Sequence, residues 1–183
     1  MLTLVAMLLL AVAEPPAAVA PRPDDCAVAG RCRAVGKVVV RPKGQAPMTF
    51  NINRTLPWTP EGNLMLFAGE TAVVRLEAAG EDGRMVPVIV LGGPQARTHA
   101  LQPGEIRFDL QERNGEMFLT IQSSHEQRLR YSLVMVTTDG KPSRTSVCTL
   151  MPGIAAIEHW PHPIVQIAAT NFYAQAEEGV VCK

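Results

Sequence analysis

IRFDLQERNGEMFLTIQ, residues 106–122, is the stretch that decides the fold. Asn114-Gly115 at its centre is a strong hairpin signal, because a two-residue type I′ turn needs both central residues at positive φ. With those two residues as the turn, Arg113 faces Glu116, Gln111 faces Phe118, Leu110 faces Leu119, Asp109 faces Thr120 and Phe108 faces Ile121. One face then carries Ile106, Phe108, Leu110, Leu119 and Ile121. The other carries Arg107, Asp109, Gln111 and Thr120. The two strands agree on which face is buried, and a slip of one residue would destroy that agreement. Phe118 is the exception, an aromatic ring projecting from the polar face.

The chain has 183 residues, with 17 basic and 17 acidic side chains. That length suits one domain with a full core, and the even charge balance gives no electrostatic footprint for nucleic acid, which is not expected as a partner. Hydrophobic residues make up 47% of the chain but aromatic ones only 5%. The core must therefore be aliphatic, and a base-stacking or sugar-stacking surface is disfavoured.

Residues 1–13 read as a signal peptide: an apolar run from Leu2 ends in the small-x-small sequence Ala11-Val12-Ala13, and it is too short for a membrane span. Residues 14–25, EPPAAVAPRPDD, read as a Pro/Ala-rich extended leader, and residues 26–183 as a single domain. Four cysteines fall in that domain. In an exported chain an even number implies disulfides, and three connectivities are possible. The favoured one pairs Cys26 with Cys32 as a small local loop, and Cys148 with Cys182, which would pin the last residues onto the sheet. The second closure is worth about 3 to 4 kcal/mol in the chain-entropy model.

Along the domain, Lys37–Arg41 and Met48–Asn53 are short strand candidates, followed by the Pro-rich bend Leu56–Gly62 with Trp58. Asn63–Phe67, Glu70–Glu77, Met85–Leu91 and Leu129–Thr137 are further strands. The run MVPVIVL at 85–91 is apolar on both sides yet contains Pro87, which cannot donate to a ladder; an edge position beneath a loop reconciles the two. Turn signals from Gly69 to Gly140 recur at roughly the 8 to 12 residue spacing of a sandwich or barrel. Ser146–Leu150 and Ile164–Thr170 complete the strand candidates. No stretch keeps a helical period over three turns.

Glu158-His159-Trp160-Pro161-His162-Pro163 is the one place where metal-ligating residue types crowd together. Glu158, His159 and His162 could ligate zinc or copper, with His99 or His125 completing the set. The competing reading is a stiff corner whose Trp160 plugs the end of the sandwich. Met85, Met117 and Met135 are dispersed, Met117 at an outward or rim position, which suits packing better than a soft-metal site. Ser123-Ser124-His125-Glu126 places a hydroxyl, an imidazole and a carboxylate close together, but catalytic triads assemble from distant segments. Asn53-Arg54-Thr55 matches a glycosylation sequon, too short a match to carry weight.

The resulting expectation is an all-β, antiparallel, immunoglobulin-like β-sandwich of seven to nine short strands, exported to the periplasm or beyond, monomeric and without a cofactor. Its expected role is structural, or the binding of another cell-envelope protein, with Phe118 and Trp160 as candidate surface residues. A metal-binding protein is the first alternative, a hydrolase the last, and an enzyme is not favoured.

Overall fold

The computed structural model describes residues 26–80, 82–176 and 179–182. The signal peptide and leader expected at 1–13 and 14–25 lie outside the described residues, as do Glu81 and residues 177 and 178 of two connecting segments.

The Asn-Gly hairpin forms as its pattern requires. Strands β6 (Glu105–Arg113) and β7 (Glu116–Ser123) pair with Arg113 opposite Glu116 and Phe108 opposite Ile121, around Asn114 at φ 54° and Gly115 at φ 83°. Ile106, Phe108, Leu110, Leu119 and Ile121 are fully buried. Met117 shares their face and is buried too, which corrects the rim position expected for it: it is two residues before Leu119, and alternation places both inside.

The remaining strands are β1 (Cys32–Val40), β2 (Met48–Pro57), β3 (Leu64–Phe67), β4 (Thr71–Ala78), β5 (Arg84–Gly92), β8 (Leu129–Thr137), β9 (Pro142–Thr145), β10 (Ala156–Trp160) and β11 (Ile164–Ala174). The fold is thus all-β, antiparallel and sandwich-like, with eleven strands rather than seven to nine. The two unforeseen strands are β9, which begins at a proline on an edge, and β10, whose sequence runs into the EHWPHP segment. Nine strands form one hydrogen-bonded sheet, eight of them in the order β10-β7-β6-β4-β5-β11-β8-β9 and β3 off that path on β11. The path bends where β5 meets β11, touching it only through Met85 and Arg84. This folds β10-β7-β6-β4-β5 over β3-β11-β8-β9, and the two layers enclose a single core. Phe108 and Phe172 meet across it edge to face, with ring centroids 6.2 Å apart.

β5 reconciles its two conflicting signals much as expected. It pairs along its length with β4, Pro87 opposite Leu76, and beyond Met85 its other side has no strand partner. The bend at 57–63 covers it. Trp58 lies so close to Gly92 that a Cβ there would come within 2.2 Å of the indole ring, so only glycine permits this contact.

β1 and β2 form a separate two-stranded sheet. Val35, Val38 and Val40 pack on Phe67 and Val165, so this hairpin covers the outer face of β3 and β11 with a second, smaller core. Both expected disulfides are present, Cys26–Cys32 and Cys148–Cys182. The second ties the C-terminal segment beside Thr149, whose Oγ1 accepts from Val181 N at 3.1 Å and donates to Gln175 Oε1 at 2.6 Å. Among the described residues no helix is long and apolar enough to cross a membrane.

Candidate functional site

The segment singled out for chemistry, EHWPHP, begins as strand β10 rather than as a corner, and this decides what its side chains can do. In a strand, neighbouring side chains point to opposite faces. Glu158 and Trp160 therefore turn inward and Ile157 and His159 outward. Trp160 is buried in the core, its Nε1 donating to Thr145 Oγ1 at 3.0 Å, so it closes one end of the sandwich instead of offering a surface. The Glu158 Oε1 accepts from the Tyr131 hydroxyl at 3.3 Å. Burial, with the Glu158 charge beside it, pushes the Tyr131 phenol above its ordinary range and keeps it a donor at neutral pH.

His159 sits on the opposite face. It stacks on Phe118 with centroids 4.7 Å apart and 21° between planes, and its Nε2 lies 3.0 Å from Glu116 Oε2. Phe118 is its direct cross-strand partner on β7, and the Arg113 guanidinium lies 5.7 Å from the same ring. Phe118 is therefore half-buried under neighbours of its own sheet. The structure does not bring Glu158, His159 and His162 to one point, and among the described residues no group of three or more His, Cys, Asp or Glu side chains is placed to hold a metal ion.

The other histidines have separate surroundings. His99 Nε2 is 2.9 Å from the buried Glu105 Oε2. His125 Nδ1 accepts from Gln127 N at 3.1 Å. In the Ser123-Ser124-His125-Glu126 segment, Ser123 Oγ accepts from the His125 backbone amide, and Ser124 Oγ accepts from Glu105 N at 3.0 Å with its one proton facing the Gln102 and Glu105 carbonyls. Both hydroxyls are held by backbone groups, which organises a turn.

The outer faces of the two layers differ in what covers them. β3 and β11 lie under the β1–β2 hairpin. β4 and β6 lie under residues 93–104, which include the short helix α1 (Gln95–Thr98) with its buried Ala96. Polar side chains lace that segment down: Arg97 Nε donates to Thr71 Oγ1 at 3.0 Å, Thr71 Oγ1 to Asp109 at 2.5 Å, and Glu105 joins His99, the Gln102 amide and, at 3.1 Å, Arg75. Burial alone would raise the Glu105 pKa. The Gln102 amide, His99 and Arg75 outweigh it, and the net effect holds the carboxyl below its ordinary range.

Among the described residues, nothing covers the β7–β10 portion of the outer face in this way. Beside the Phe118–His159 stack it presents Ile157 at 64% exposure, and Ile154, at 60%, lies in the turn leading into β10. These are the two most exposed large aliphatic side chains among the described residues. Sequence reasoning located Phe118 but passed over Ile157. The available signal was the alternation Ile157-Glu158-His159-Trp160, legible only once the segment is taken as a strand. Comparison with protein-family models, with curated proteins and with solved structures gave no match.

Proposed function

We propose that this is an exported cell-envelope β-sandwich, periplasmic or secreted and monomeric, that binds another envelope protein through the outer face of β7 and β10. The observation that carries the reading is the exposed Ile157 beside the Phe118–His159 stack, with the exposed Ile154 in the turn before it, on a face that no described segment covers. Large aliphatic and aromatic side chains grouped on an exposed face are the composition of an interface centre. The partner that fits presents apolar side chains to this face, with polar groups for Arg113 and Glu116 at its rim. Export is supported by the apolar run ending in Ala11-Val12-Ala13 and by the two disulfides, which form and persist in oxidising compartments.

The test places a photo-crosslinking residue at position 157, and in a second protein at position 49 on the exposed side of the covering hairpin, in cells making the full chain. A discrete adduct from 157, absent from 49 and lost on Ile154→Asp, supports the reading. Adducts from neither position, or the same pattern from both, refute it. Thermal melting of Ile154→Asp unchanged from the parent separates lost binding from lost folding.

A further inference from the structure

We propose a second site, an oxyanion-binding pocket where the ladder between β8 and the chain beyond β9 opens. β8 pairs with β9 as far as Leu133 opposite Thr145, and pairing resumes at Leu129 opposite Leu150, with both backbone bonds made at 2.9 and 3.0 Å. Between these points, residues 130–132 on one side face residues 146–149 on the other. The unequal lengths force the strands apart. The opening is a cavity of about 340 Å³ with Tyr131, Leu133 and Val147 among its walls. That size falls at the lower end of small-ligand sites.

The chemistry of the rim selects the ligand. Arg130 and Arg144 both line the cavity, and among the described residues neither guanidinium makes an ion pair or a side-chain hydrogen bond. By contrast Arg33 and Arg97, which line another cavity, are each held by an acid and by backbone carbonyls or a hydroxyl. Ser132 and Ser146 add hydroxyls to the same opening. Glu158, on the core side, is engaged by the Tyr131 hydroxyl. Two guanidinium forks with hydroxyl donors form the recognition set for a phosphate or sulfate group, because each fork can donate two parallel hydrogen bonds to such an anion. The Cys148–Cys182 bridge fixes one wall, since Cys148 and Val181 both line the cavity. The site is thus preorganised, and ligand binding need not order the strand beyond β9.

The experiment titrates the purified, oxidised chain at low salt with inorganic phosphate, with sulfate and with glycerol phosphate by calorimetry. A parallel arm measures sedimentation with vesicles of phosphatidylglycerol against phosphatidylcholine. Saturable binding of a soluble anion assigns a solute ligand, and binding to the phosphatidylglycerol vesicles alone assigns a lipid headgroup. In either case Arg130→Gln or Arg144→Gln should weaken binding by about tenfold or more, as expected for a lost charged hydrogen-bonded contact. Arg54→Gln, on the covering hairpin away from the cavity, should leave it unchanged. Amide shifts induced by phosphate should centre on Ser132 and Ser146, a readout independent of the variants' stability. Absence of saturable binding in every arm overturns the proposal, and so does binding weakened less than tenfold in both cavity variants.

Discussion

Removing Arg33 should loosen the covering hairpin from the sandwich, and the cost can be worked from its contacts. Its Nε and one Nη meet the two Glu70 oxygens at 2.7 Å each, a bidentate pair whose side chains are only 10% and 20% exposed. The other Nη donates to the Pro57 carbonyl at 2.7 Å, and the guanidinium lies 4.0 Å from the Trp58 ring centroid. One side chain thus joins β1, the end of β2, the Trp58 bend and the turn into β4. Deleting one member of a buried pair typically costs about 3 to 5 kcal/mol, much of it from the carboxylate left behind. Glu70 keeps one partner, the Phe67 amide at 2.8 Å, which places Arg33→Met near the lower end, at about 3 kcal/mol. Arg33→Met combined with Glu70→Gln should cost clearly less than the sum of the singles, because the stranded charge is gone. Urea unfolding of the oxidised protein measures all three. Hydrogen exchange adds the location: amides of β1 and β2 should lose protection before those of β6 and β7, since the hairpin has its own sheet and its own small core. A cost below about 1 kcal/mol for Arg33→Met, or strict additivity in the double variant, would refute this account.

Glu105 gives a pH prediction. Its folded pKa lies below the ordinary 4.5, so its contribution to stability is fully present above that value and is lost as pH falls through the folded pKa. The parent should therefore lose melting temperature more steeply than Glu105→Gln on acidification from about pH 6 to about pH 3, and superimposable curves would show that the carboxylate is not linked to folding. Gly115→Ala should cost more than Gly140→Ala, although both glycines have positive φ. A Cβ at 115 would come within 2.6 Å of the Lys43 amide nitrogen, whereas nothing lies within 4 Å of one at 140. The expected costs are at least about 2 kcal/mol against about 1 kcal/mol by denaturant unfolding, and equal costs would sink the explanation.

How much could be read in advance varies along the chain with the range of the forces involved. The hairpin at 106–122 was legible to the residue because its turn chemistry and its two alternating patterns are local and mutually constraining. The bounds of β8 were legible for the same reason, whereas the cysteine count allowed three connectivities, of which the structure shows the favoured one. Met117 and Ile157 were misjudged or passed over for a shared reason: each belongs to a strand whose phase is set by a neighbour. Met117 needed its phase carried through from Leu119, and Ile157 needed β10 to be a strand at all, which pairing with β7 decides.

The sequence by itself determined an all-β antiparallel fold, its central register, an even set of cysteines that can pair and a largely aliphatic core, because turn residues and period-two alternation act over a few residues and composition is a simple count. The tertiary structure alone decided which faces are covered. The β1–β2 hairpin and residues 93–104 each take one outer face, through contacts between segments tens of residues apart that no local pattern encodes. It alone also decided that Glu158 and His159 part to opposite sides of β10, and that Arg130 and Arg144 line one opening in a ladder. Such placements follow from strand pairing across the fold, and pairing is set by the sum of many weak contacts rather than by any one stretch.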